Sequence, residues 1–407
     1  MEFQISARAK KTIFGVIGVG VLAFIIGVVQ NSGTDQFMTR LFSNLLIDGF
    51  FFFAIGLGAL FFLALQYATE TGWSVAIKRV VEGVASYVLV GAGVLLVLFL
   101  IFTFTDGGWF GAEVHGHRVG HIYEWMDHHV VESDAIIAGK APFLTKWFFW
   151  VVTIIYMTTY IWFYKGFRKR SLQEDIEGGT KIHYKNFAKG ALFLVLFGYF
   201  SSTSSWHWLM SLDPHWFSTL YGWYVFGGMW CTAMVTIMLV VLYLKRKGHL
   251  QVVNDSHIHD IGKWVFALSF LWSYLFFSQF MLYWYADIPE EVIYYVERIE
   301  NYKYIYWGMF MINFIVPMLL LMSDSAKKNA GILMTVCIII ILGHWADVYM
   351  LVTPGTMGEY GSIGFMEIGL FMAFAGVFVY FIMNTLTKAP LVPKNHPYLD
   401  ESKHHHI

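Results

Sequence analysis

The residues with the most chemistry to offer are acids and imidazoles that stand in or beside long apolar stretches. Asp48 sits in LLIDGFFFF, flanked by bulky hydrophobic residues. His344 and Asp347 lie three apart in GHWADVYMLV, a spacing that puts both on one face of a helix. His207, Asp213 and His215 cluster in SWHWLMSLDPHW, and Glu367 opens the last apolar block. A charged group at membrane depth costs about 2.5–3.5 kcal/mol even on gentle insertion scales, so each of these asks for a reason. Imidazole and carboxylate both exchange protons near neutral pH, which suits the two deprotonations of a quinol. The alternative is that they are interfacial groups satisfied by water and loop backbone.

Other readings of the same residues have less behind them. His207 and His344 are the two histidines well inside apolar blocks, so one bis-histidine haem is conceivable between them. On a continuous helix His117, His121, Glu124 and His128 would share a face that suits a metal, with His115 and His129 nearby, but they follow no familiar metal motif. Cys231 and Cys337 are the only cysteines, and neither a CxxCH nor an iron–sulfur cluster pattern occurs. No phosphate-binding glycine loop, nucleophile elbow or HExxH supports ATP-driven or hydrolytic chemistry. The chain is therefore expected to hold no metal or covalent cofactor, with quinone or quinol as a diffusible ligand.

The elements that must position these residues are membrane spans. Of 407 residues, 57% are hydrophobic and 14% charged, against roughly 25% charged in soluble domains. Net charge is −1, which gives no basic field for nucleic acid. Apolar blocks of the ~20 residues that cross a bilayer fall at 12–30, 42–66, 82–105, 145–164, 187–209, 218–244, 263–284, 304–323, 331–352 and 365–386. The fold expected is all-α, a polytopic membrane protein of ten transmembrane helices. The run from Ile13 to Val29 reads as a retained first helix, because no small-x-small cleavage site follows it. If the blocks alternate across the membrane, 21 of the 27 Lys and Arg fall on one side, which predicts cytoplasmic N- and C-termini. Residues 1–386 then form one transmembrane domain, and 387–407 a cytoplasmic tail.

His207–Trp208 followed by Pro214, and His344–Trp345 followed by Pro354, end blocks that are four spans apart and run the same way. This suggests two four-helix bundles, spans 2–5 (about 42–209) and 6–9 (about 218–352), with helices 1 and 10 flanking them. Chance His-Trp pairs in a Trp-rich chain are the plainer explanation. The run Ser201–Ser205, with Gln279 and with Asn313 beside Pro317, could line a hydrated half-channel or simply glue helices together. A secondary transporter should carry helices broken at mid-membrane, yet the prolines fall mostly in loops, with only Pro317 inside a span.

The stretch WHWLMSLDPHWFSTLYGWYVF, from Trp206 to Phe226, resembles the ActF family of bacterial alternative complex III. So do the WSV segment near Trp73 and the GHWADVYMLV of span 9. These are quinone-binding membrane subunits of quinol:cytochrome c oxidoreductase, similar to the NrfD/PsrC membrane anchors. The resemblance implies two four-helix bundles in the bacterial inner membrane, with no redox centre in the chain itself. It implies partners as well: a homologous membrane subunit, multihaem cytochrome c subunits and an iron–sulfur subunit, which carry haem c and iron–sulfur clusters, and in some cases a terminal oxidase. Carried over residue by residue, it marks His207, Asp213 and His215, with His344 and Asp347 from the second repeat.

Overall fold

The computed structural model describes residues 3–105, 112–114, 117–119 and 121–406. It is all-α apart from one small antiparallel ladder, β1 (Ala112–Val114) with β2 (His117–Val119). The chain runs α1 (Ala7–Asn31), α2 (Phe37–Ala68), α3 (Lys78–Ala85) and α4 (Val88–Phe104), then short α5 (His128–Ser133) and α6 (Ala135–Gly139). Next come α7 (Lys146–Glu177), α8 (Lys181–Trp208), α9 (Tyr221–Arg246), α10 (Asp255–Ala286) and α11 (Pro289–Asn301). It ends with α12 (Lys303–Phe310), α13 (Val316–Leu320), α14 (Asp324–Lys328), α15 (Ala330–Met357), α16 (Phe365–Leu386) and α17 (Leu399–Lys403).

Among the described residues nine helical segments are long and apolar enough to cross a membrane. The protein is a multi-pass helical membrane protein. The remaining expected span corresponds to α8, which is 28 residues long but diluted by Ser201–Ser205 and by its lysines. Those hydroxyls turn back on their own helix: Ser204 donates to the Ser201 carbonyl at 3.2 Å and Ser205 to that of Ser202 at 2.8 Å. Ser204 and Ser205 thereby have backbone acceptors within their own helix. Beside them Gly222 of α9 approaches so closely that a Cβ there would meet the Ser202 Cα at 2.7 Å.

α2 and α9 pack side by side at the centre, and both α8 and α15 lie against the two of them. α4 flanks α2 as α10 flanks α9. That exchange-symmetric arrangement is what a repeat of spans 2–5 and 6–9 would produce. Two departures concern proline. α15 runs on through Pro354, so Pro317 is not alone inside a helix. Ahead of Pro317 the backbone passes through a π-helical turn, Met311–Ile315, which relieves the hydrogen bond that proline cannot make.

α1 touches the bundle chiefly through α16, and the contact is made by glycines. A Cβ at Gly369 would meet the Phe24 nitrogen at 2.3 Å, and one at Gly27 the Met366 nitrogen at 2.3 Å. Backbone cannot retreat as a side chain can, so only glycine permits this approach. Gly369→Val is expected to part α1 from α16 and to cost about 1–3 kcal/mol. Loss of a disulfide cross-link engineered between the two helices would register the parting.

The C-terminal tail is folded back onto the end of the bundle that carries Lys78 and Arg79. Ser402 Oγ donates to the Trp73 carbonyl at 2.7 Å, and the His405 Nε2 pairs with Asp260 Oδ2 at 2.6 Å. At the same end Lys78 and Arg79 are buried rather than exposed in a loop. Lys78 pairs with Glu174 at 2.9 Å, Arg79 with Glu82 at 2.9 Å and with Asp175, and Arg168 with Glu82.

Candidate functional site

The opposite end of the bundle gathers the acids and imidazoles singled out in the sequence. α15 brings His344 and Asp347 inward on one face, both buried. Tyr224 of α9 donates its hydroxyl to Asp347 Oδ1, and Trp272 of α10 donates Nε1–H to Oδ2 at 2.9 Å. His344 Nδ1 lies 3.6 Å from the same Oδ2. Its ring meets Trp272 edge-on at 5.3 Å, and neither ring nitrogen has a hydrogen-bond partner. A buried imidazole without hydrogen bonds is costly, and the Asp347 carboxylate 3.6 Å away is the charge that can offset part of that cost. Gly228 makes the space: a Cβ there would stand 3.4 Å from His344 Nδ1 and 3.5 Å from Asp347 Oδ2.

Asp347 stands between two small cavities. One, with Phe50, Thr232 and His344, and the other, with Gln279, Arg298 and Tyr306, each hold about 20 Å³. That is room for one water apiece. Tyr306 OH, on the second cavity, also has no hydrogen-bond partner. A carboxylate with two donors, an imidazole 3.6 Å away that makes no hydrogen bond, and water-sized spaces on both sides can accept, hold and pass on a proton.

Arg298 closes this site from α11. It is buried, donates to the Tyr294 carbonyl at 2.9 Å and the Met350 carbonyl at 3.2 Å, and pairs with Asp213 at 2.8 Å. Its guanidinium sits 3.3 Å over the Tyr294 ring, which stacks on Trp216 at 3.8 Å. Burial works against its charge, but Tyr294 and Asp213 outweigh it and push the pKa above the ordinary arginine value. The cation persists at any physiological pH. Asp213 abuts α15 so tightly that a Cβ at Gly355 would meet its Oδ1 at 2.9 Å.

The other sequence candidates lie apart from this pair. Asp48 is buried on α2 and accepts the Trp345 Nε1–H at 2.8 Å. Glu367 of α16 takes Arg40 through both oxygens, at 2.7 and 3.0 Å, together with Asn44 at 2.8 Å and the Gly364 amide at 2.8 Å. With that many donors it serves as a clamp between α2 and α16. His207 hydrogen-bonds the Thr203 carbonyl through Nδ1 at 2.9 Å and lies among Phe143, Phe148 and Tyr156, while His344 faces Trp272. The two histidines therefore point into different surroundings, and no bis-histidine pair forms.

His215 pairs with Asp134 at 2.6 Å. Asp134 also caps α6, accepting the Ile136 and Ile137 amides at 2.8 and 3.1 Å. Burial works to raise its pKa, but the His215 bond and the two amides outweigh it and hold the carboxyl below the usual aspartate range. With the folded pKa depressed, the cap is in force above the ordinary value of about 4 and lost as pH falls through the lowered one. Protection of the Ile136 and Ile137 amides, measured relative to their intrinsic exchange rates, is expected to fall over that acid window and to stay level from there to neutrality.

The histidine-rich loop does not form one helix. His117 belongs to β2, Glu124 to a 3-10 turn and His128 to α5, so the shared helical face is broken by changes of element. His115 lies outside the described residues. Tyr224, Trp272 and Arg298 are site residues that the sequence did not mark, whereas Gln279, singled out there as a polar group within a span, lines the second cavity. Tyr224 stood inside the quoted motif, but in a chain with 23 tyrosines and 16 tryptophans neither aromatic was distinguishable from an interfacial belt.

An apolar cavity of about 470 Å³ lies between α1 and α16 on one side and α2, α9 and α15 on the other. Thr236, Phe52 and Phe371 line it, with Arg8 and Lys247 at one end. Thr236 is one turn along α9 from Thr232, which lines the His344–Asp347 cavity. In comparison with known proteins, the chain matches no family model, and no curated protein aligns with it significantly.

Proposed function

We propose that the chain is an integral membrane subunit of a bacterial respiratory quinol:cytochrome c oxidoreductase, contributing quinone binding, a proton path, or both. The observation that carries the chemistry is Asp347, held by Tyr224 and Trp272 beside His344, whose ring nitrogens make no hydrogen bond, between two water-sized cavities. The 470 Å³ apolar cavity one turn away falls in the size range of small-molecule sites. It suits a quinone ring, and its Arg8–Lys247 end suits polar headgroups. The resemblance of the Trp206–Phe226 stretch to ActF subunits supplies the partners: a homologous membrane subunit, multihaem cytochrome c and an iron–sulfur subunit. The basic bias along the chain supports an inner-membrane orientation with both termini cytoplasmic.

The test is quinol:cytochrome c reductase turnover of the intact complex carrying Asp347→Asn, with assembly followed on a native gel. A normal rate in an assembled complex would leave the chain as scaffold. One observation favours a secondary transporter instead, the π-turn and Pro317 that interrupt a span with Asn313 buried and unpartnered beside them. Solute uptake by vesicles holding this chain alone would decide for that reading.

A further inference from the structure

At the end of the bundle remote from Asp347, three potential metal ligands converge from distant parts of the sequence. Glu174 closes α7, His183 opens α8, and His396 comes from the tail; all three are buried, with ligand atoms within 4.8 Å of one another. Their hydrogen bonding is incomplete in a way that ordinary packing does not explain. Neither nitrogen of His183 has a hydrogen-bond partner, and Glu174 Oε1 is likewise unpaired while its Oε2 takes Lys78 at 2.9 Å. Buried polar atoms are satisfied as a rule, and two such side chains aimed at one another's neighbourhood call for an occupant. A cavity of about 20 Å³ lies against His183 and His396, with Gln66, Tyr67 and Lys78 on its wall, and Gln66 Oε1 there is also unpartnered.

We infer that Glu174, His183 and His396 form a divalent-metal site of the zinc type, which clasps the C-terminal tail onto α7 and α8. Two imidazoles and one carboxylate are a ligand set that zinc accepts, with water or a fourth side chain completing the tetrahedron. Glu70 is the side chain in place for that, its Oε1 3.5 Å from His183 Nε2. Tetrahedral zinc holds its ligand atoms about 3.4 Å apart, so the three must close by roughly an ångström through side-chain rotation. Lys78 then acts as an outer partner, holding Oε2 while Oε1 turns to the metal, an arrangement common around metal-bound carboxylates. Glu82 and Asp175 neutralise the adjoining Arg79 and Arg168, so of these cations Lys78 is the one left to Glu174. One contact must be surrendered. The Tyr398 amide donates to His396 Nδ1 at 3.2 Å, and when Nε2 binds metal the neutral ring carries its proton on Nδ1. The site departs from the expectation that the chain holds no metal; ligands 222 positions apart leave no spacing to recognise. It is independent of the quinol reading.

Full-length chain purified in detergent, in a His404→Ala/His406→Ala background that removes two exposed tail imidazoles, is incubated with zinc alone, desalted and analysed for bound metal. About one zinc per chain is expected, falling to near zero in His396→Ala and in His183→Gln. His396→Ala alters only the tail, and unchanged gel-filtration elution confirms that the helices remain assembled. Zinc should also slow tryptic cleavage at Lys394 at least tenfold in the background protein and not in His396→Ala. Cobalt in place of zinc should give the visible bands of a four-coordinate ion. Retention of zinc by both variants, or none by the background chain, would overturn the assignment.

Discussion

Asp347→Asn is expected to lower reductase turnover of the assembled complex by about 10²-fold or more, the usual worth of a positioned proton acceptor. The carboxamide keeps the shape and one acceptor, so either Tyr224 or Trp272 retains its bond. It cannot take both donors as the carboxylate does, and it cannot take a proton. The loss should therefore appear in kcat while the complex still assembles. His344→Gln should give a smaller loss together with a shifted pH profile, because the imidazole reaches Asp347 only at 3.6 Å and would act with it rather than in its place. Glu367→Gln provides the contrast. Its carboxylate is occupied by Arg40, Asn44 and the Gly364 amide, so the change should lower stability and leave the rate of surviving complex nearly intact. Equal rates for Asp347→Asn and the unaltered complex would remove Asp347 from the proton path.

How much of this could be read beforehand depended on whether the relevant signal was local. The apolar blocks were local, and bilayer thickness sets their length, so the helices follow from them. The weak case was α8, where Ser201–Ser205 lowers hydropathy although the hydroxyls cost little once they bond back to their helix. His344 and Asp347 were legible because three-residue spacing is a helical rule. Their donors were not, since Tyr224 and Trp272 come from other helices and look like any other aromatic. Glu367 drew attention by the expense of a buried charge, but the arginine that satisfies it stands 327 positions earlier. Lys78 and Arg79 fall between the apolar blocks 42–66 and 82–105, and their burial was hidden for the opposite reason. Charge in a polar stretch reads as solvated, and although Glu82 stands three residues from Arg79, nothing local reveals that Glu174 and Asp175, each 96 positions from its partner, complete the burial.

That buried network predicts the largest stability effect. Glu82 is fully buried and accepts from Arg79 at 2.9 Å, from Arg168 at 2.5 Å and from Ser171. It joins α3 to the far end of α7, while Lys78–Glu174 and Arg79–Asp175 reinforce the same junction. Burying such charges gains little over an apolar core, but removing one partner strands the others away from water. Glu82→Ala is expected to cost about 3–5 kcal/mol, read as a lowered midpoint of thermal or SDS-induced unfolding in detergent. Glu82→Gln should cost less, since the amide oxygen still accepts from one arginine. The exposed Lys245–Asp255 pair, 3.3 Å apart at the same end, calibrates the comparison. Asp255→Ala should change stability by no more than about 1 kcal/mol, because solvent already screens that pair. If Glu82→Ala behaved like Asp255→Ala, water would have to reach the α3–α7 junction, and the tail packed over that end would not be sealing it.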